Sequence, residues 1–207
     1  MRINLRLWLL TLFFSLVLGA CAGGPKPIPK PDTTEQTNER PDQEHTTLSD
    51  LERAQLKAAV ENINQNKLDI AKKSLLKLKS STPKNSLVFS NLAAIAFAEN
   101  RLDDASELSE QALSISAENA QAHNIHGLIL VERGNISSAE QAYLKALNID
   151  SNYTNAHFNL ALIYDIYYQD LKRAIQHYQA YLALSNFQDK QTLEWVQELE
   201  RSLENQQ

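Results

Sequence analysis

Few side chains in this 207-residue sequence are equipped for chemistry. There is one cysteine, Cys21, so no disulfide closes within the chain and no thiolate zinc site can be built. Of the five histidines, His123 and His126 lie three residues apart, and His157 follows in a similar context. Imidazoles at that separation share one face of a helix and could hold a metal if a neighbouring helix supplied more ligands. No carboxylate stands at ligand spacing beside them, and their positions suit packing. The sequence therefore assigns no catalytic residue, no cofactor and no metal site, and the chain is read as a non-enzyme; a metal-dependent enzyme using these histidines is the alternative from another class. A formal net charge of −5 argues against nucleic acid as a partner, because neutralising phosphates takes clustered Lys and Arg.

The position of the thiol carries more information than its reactivity. Arg2 and Arg6 precede the apolar run LWLLTLFFSLVL, residues 7–18. About twelve residues give roughly 18 Å of helix, short of the ~30 Å hydrocarbon core of a bilayer. Residues 1–20 thus read as a secretion signal. The sequence Leu18-Gly19-Ala20-Cys21 resembles the lipobox of bacterial lipoproteins. That resemblance implies acylation of Cys21 and a mature chain held to the lipid bilayer by its first residue. Each buried CH₂ contributes about 0.8 kcal/mol, so several acyl chains hold essentially permanently. Ala22, where Gram-negative sorting uses Asp to retain a lipoprotein at the inner membrane, implies the periplasmic face of the outer membrane.

Residues 21–47 form a different compositional zone. Five of the six prolines fall here, among Gly, Lys, Thr, Asp, Glu and Gln. So little apolar surface cannot offset the entropy of ordering, which predicts a disordered tether. At about 3.1 Å per residue its full extension is roughly 80 Å.

From Leu48 on, only Gly127, Gly134 and Pro83 interrupt a helix-forming composition. Ser49 and Glu52 have the spacing of a capping box, predicting a helix that begins at Asp50. The architecture follows from self-similarity. Ala71, Ala105 and Ala139 recur every 34 residues and Ala174 follows at 35, within LDIAKKSLLKL, LDDASELSEQAL, ISSAEQAYLKAL and LKRAIQHYQAYL. Upstream of the last three lie FSNLAAIAFAEN, HNIHGLILVERG and HFNLALIYDIYY. This pattern resembles the tetratricopeptide repeat, with small residues Ala59, Ala93, Gly127 and Ala161 in each first helix. The resemblance implies an all-α solenoid of four helix-turn-helix repeats within 48–188, at 52–85, 86–119, 120–153 and 154–188. Only Pro83 matches the repeat's terminal proline; Ala117, Ser151 and Asn186 replace it, and Gln55 stands where a large aromatic is usual. Residues 189–207 read as a capping helix and tail, with Leu193, Val196, Leu199 and Leu203 in a stripe and Trp195 packing on repeat four.

By analogy with the family, the first helices line an inner groove. Its implied partner-binding residues are Arg53, Leu56, Ser90, Phe97, Gln121, Asn124, Leu128, Asn155, Phe158 and Leu162. An apolar floor with Asn and Gln edges suits an amphipathic helix or an extended apolar peptide, main-chain amides meeting the Asn side chains. The competing reading places some of these residues in the interhelix core. Tyr167 and Tyr168, at the turn carrying the extra residue, are either docking aromatics or cover for the capping helix. The whole is similar to lipoproteins that assist type IV pilus or secretin assembly. That implies a protein-binding scaffold whose partner is another envelope protein. An adaptor for peptidoglycan hydrolases or an accessory of an energy-transducing envelope complex are the alternatives.

Overall fold

The computed structural model describes residues 48–205. Cys21, the expected leader at 1–20 and the expected tether at 21–47 lie outside the described residues. The described chain is helical, without a strand. Four antiparallel pairs follow one another: α1 (Asp50–Asn64) with α2 (Leu68–Ser81), α3 (Ser86–Ala98) with α4 (Leu102–Ile115), α5 (Ala120–Glu132) with α6 (Ile136–Ile149), and α7 (Thr154–Leu162) with α8 (Leu171–Leu184). A final helix, α9 (Lys190–Glu204), packs on α8.

Caps set where these helices start. The Glu52 amide donates to Ser49 Oγ at 3.3 Å while the Ser49 amide donates to Glu52 Oε2 at 3.0 Å, a reciprocal capping box that contributes about 1 kcal/mol. Asn85, Asn119, Asp170 and Asp189 cap α3, α5, α8 and α9 with their side chains. The turn inside each pair has its own rule. Asn66, Asn100 and Gly134 hold positive φ at the same register position, with φ of 60°, 58° and 76°. The left-handed residue closes the first helix and aims the chain back along it. The amide of the next residue then donates five positions back, Lys67 to Asn62 O, Arg101 to Ala96 O and Asn135 to Leu130 O.

Small residues let the helices approach. Ala71, Ala105, Ala139 and Ala174 are all fully buried, at equivalent places in successive second helices, and Ala59, Ala93 and Ala161 are fully buried in the first helices. At Gly127 the approach is closest: a Cβ there would stand 2.7 Å from Tyr143 Cδ1, 2.9 Å from Cζ and nearer still to Cε1.

First helices touch across repeats, α1 against α3, α3 against α5 and α5 against α7. Each second helix packs on the first helix that follows it, while second helices keep their backbones apart, α6 and α8 being bridged by the Arg173–Glu140 ion pair at 3.9 Å. The first helices therefore form the tighter, inner wall and the second helices the outer one.

Candidate functional site

The inner wall is a run of amides and small residues linked between repeats. Ser90 Oγ donates to Gln121 Oε1 at 3.0 Å, and Gln121 Nε2 donates to Asn91 Oδ1 at 3.3 Å, joining α3 to α5. Asn159 Nδ2 donates to Asn124 Oδ1 at 2.9 Å, joining α5 to α7. The remaining donor, Asn124 Nδ2, and the remaining acceptor, Asn159 Oδ1, are buried without a hydrogen-bond partner. Buried polar atoms are almost always paired, so a spare donor beside a spare acceptor calls for an explanation.

The wall differs from the reading by family analogy. Leu56 belongs to a core cluster with Ala59, Ile63 and Leu75, and Leu128, Phe158 and Leu162 belong to another with Tyr143 and Tyr178. Phe158 meets Tyr178 and Tyr181 edge to face, with centroids 5.7 and 4.8 Å away. Ser90, Asn124 and Asn155 are buried as well. These residues are interhelix packing in this structure and not open lining. The reason is geometric: an interior first helix touches its own second helix and a first helix on either side, which leaves it few free positions. Arg53 is exposed, donating to the Leu48 carbonyl at 3.4 Å, while Phe97 and Gln121 are half-buried.

The histidines have two separate jobs. His123 and His157 are the fourth residues of α5 and α7, where Phe89 stands in α3. His123 Nε2 lies 2.9 Å from the Ala117 carbonyl and His157 Nε2 lies 3.1 Å from the Ser151 carbonyl. Those two carbonyls belong to the residues that replace the terminal proline, so each imidazole ties down the junction to the preceding repeat. With Nε2 donating, His157 Nδ1 is an acceptor, and it receives the proton of His177 Nδ1 at 3.0 Å. His177 was not singled out in the sequence, because its partner sits on a helix in a different register. Among the described residues no three His, Cys, Asp or Glu side chains converge as a metal site.

This pair gives a pH signature. Burial, then the neighbouring His157 and Arg173, lower the His177 pKa to about 4 from the ordinary 6.5, and burial lowers His126 in the same direction. The unfolded chain therefore takes up protons first on acidification. Stability is expected to fall as pH drops from about 6.5 toward about 4, and to level off above 6.5. Urea midpoints at pH 7.5 and 5.0 check this, and His177→Gln should flatten the difference. A wild-type midpoint independent of pH in that window would contradict the assignment.

The extra residue of the fourth repeat is absorbed where α7 ends. Ile163–Tyr167 forms a π turn, with the Tyr168 amide donating to Ile163 O at 3.1 Å. The turn gathers aromatics around two carboxylates. Tyr164 and Tyr168 hydroxyls donate to Glu140 Oε1 and Oε2 at 2.7 and 3.0 Å, and the Arg173 guanidinium lies 4.2 Å above the Tyr164 ring. Burial, reinforced by Glu140, pushes the Tyr164 hydroxyl up to about 12. Asp165 accepts from Tyr178 Oη at 3.2 Å and from Trp195 Nε1 at 2.8 Å, fastening α9 to the end of the stack. Tyr168 is therefore engaged through its hydroxyl, whereas Ile166 and Tyr167 present nearly half of their surface.

Stacked pairs at one pitch, with alanines in register and an inner wall of first helices, decide the architecture. The fold is a tetratricopeptide-repeat solenoid. A family model described as TPR repeat matches residues 127–164, from the middle of α5 to the π turn. Among solved structures, Pseudomonas aeruginosa pilF superposes with a TM-score of 0.60 at 21% identity, over 73% of this chain and 69% of that one. The tetratricopeptide protein TTC0263 of Thermus thermophilus gives 0.60 at 18% identity, over 72% of this chain and 80% of that one. Mouse protein O-mannosyl-transferase TMTC3 is 37% identical over 83 residues, 40% of this chain. That match spans only 9% of the mouse protein's length.

Proposed function

We propose that this chain is a non-catalytic, lipid-anchored scaffold of a bacterial envelope that holds a segment of another envelope protein along the inner wall of its solenoid. The observation that carries the reading is the Asn124–Asn159 pair, whose spare amide donor and spare carbonyl acceptor match the C=O and N–H that one residue of an extended segment turns to the same side. Opening the wall to a guest exchanges two uncompensated polar atoms for two hydrogen bonds. The anchor rests on Cys21 and its lipobox, and the leading pathway is assembly of a type IV pilus or its secretin.

A photo-crosslinking amino acid at Gln121 on the inner wall, with Glu107 on the outer face of α4 as control, tests this in cells. A defined adduct is expected from Gln121 and none from Glu107. Pilus or secretin subunits in the adduct support the leading pathway, and peptidoglycan hydrolases in it move the assignment to the adaptor. Asn124→Leu with Asn159→Leu should reduce the adduct at least tenfold, since both polar partners are lost. Equal labelling from both positions, or no effect of the double substitution, overturns the wall as the binding site.

A further inference from the structure

Charge is segregated along this solenoid. Between Leu48 and Asn85 there are eight Lys or Arg against four Asp or Glu, whereas residues 86–119 carry six Asp or Glu against one Arg. Residues 189–207 carry five acids against two bases. The basic end is also the end at which the tether enters. Lys57 on α1, Lys67 before α2, and Lys73 and Lys77 on α2 are all exposed. On α2, Lys73 and Lys77 point away from the buried stripe of Ala71, Leu75 and Leu78, and Ile70 and Leu76 flank them, 56% and 48% exposed. Lys72 pairs with Glu99 at 3.0 Å and Lys79 lies over the Phe89 ring at 5.0 Å, whereas Lys67 donates to Gln65 Oε1 at 2.6 Å, a neutral partner that leaves its charge uncompensated. On the adjacent outer helix α4 the sign reverses, with Asp103, Asp104, Glu107 and Glu110 all exposed.

We infer that the outer face of the first repeat docks on an anionic bilayer surface and stands the solenoid on end. A helix face is convex, and lysines flanked by aliphatic side chains on such a face match a flat, negatively charged layer of headgroups into which Ile70 and Leu76 can dip. The acids of α4 and α9 are repelled by the same surface. Within the ~8 Å reach of unscreened charge at physiological salt, only the first repeat is drawn down. The remaining repeats are then held clear of the membrane with the inner wall accessible. This rests on the anchored reading above, which brings the first repeat within reach of the bilayer.

The test uses the processed full chain, whose only native thiol is Cys21. A bimane probe is placed at Ser80→Cys on α2 or at Glu198→Cys on α9, and quenching by nitroxide-headgroup lipid is read in vesicles of phosphatidylcholine alone or with 30% phosphatidylglycerol. At 50 mM salt the α2 probe is expected to be quenched at least threefold more in the anionic vesicles, and the α9 probe equally in both. The difference should vanish at 500 mM salt and in Lys67→Gln/Lys73→Gln/Lys77→Gln. Quenching at α2 that ignores lipid charge, or a greater effect at α9, overturns the inference. So does capture of the lysine face by an acidic protein while anionic vesicles leave it unquenched. Failure to float with phosphatidylcholine vesicles would instead refute the anchor. Salt-sensitive binding to anionic vesicles by that chain would still support the face, and its absence would overturn it.

Discussion

Replacing Gly127 by alanine is expected to cost about 3 kcal/mol and to lower the thermal midpoint by roughly 10 °C, the upper range for overpacking a core. The added methyl group would overlap the Tyr143 ring, and Tyr143 is only 1% exposed, so the ring has no room to swing aside. The other repeats show what resolves the conflict. Ala59 faces a helix pair with Leu75 at the position of Tyr143, and Ala93 one with Ser109. Tyr143→Leu should therefore cost stability alone yet restore much of what Gly127→Ala removes, a coupling that a double-mutant cycle measures directly. Thermal midpoints that simply add would show that the glycine is not there for the ring. Repeat four tolerates Ala161 with Tyr178 because its extra residue changes the offset between the two, and Tyr178 reaches sideways to Asp165.

Asp165→Ala should loosen the far end of the solenoid. The carboxylate is the shared acceptor of Tyr178 Oη and Trp195 Nε1, and bonds to a charged acceptor contribute about 2 kcal/mol net. Amide exchange across α9 (190–204) is expected to accelerate roughly 30-fold, the same free energy expressed as an opening constant, while α1 to α6 keep their rates. Asp165→Asn retains a carbonyl acceptor and should give an intermediate effect. Uniform acceleration through all helices would mean that the stack opens as one unit and that the carboxylate is no local fastening.

How much of this was legible in the residues depends on range. The fold was, because Ala71, Ala105 and Ala139 repeat at a fixed interval and only close helix pairs need alanine so regularly. The turns at Asn66, Asn100 and Gly134 were also written locally, in residues that accept positive φ. The wall was harder. Ser90, Leu128 and Phe158 occupy positions that analogy with the family assigns to an inner face, yet whether a position is lining or core depends on how closely the next helix stacks. The His157–His177 bond shows the same limit, since α8 carries its histidine without any counterpart in α2, α4 or α6. At the π turn the 35-residue spacing announced an insertion but not its form; the i to i+5 hydrogen bond at Ile163 decides that.

Because each helix pair leans only on its immediate neighbours, the molecule has no single keystone. Tension entering at Leu48 meets α1 first, whose grip consists of the Ser49 box and one apolar cluster shared with α2 and α3. That helix can peel off and re-zip while the aromatic-rich fourth pair stays closed. A pull along the chain is thus absorbed at the N-terminal edge, like the first tooth of a zip fastener, before it reaches anything held farther in.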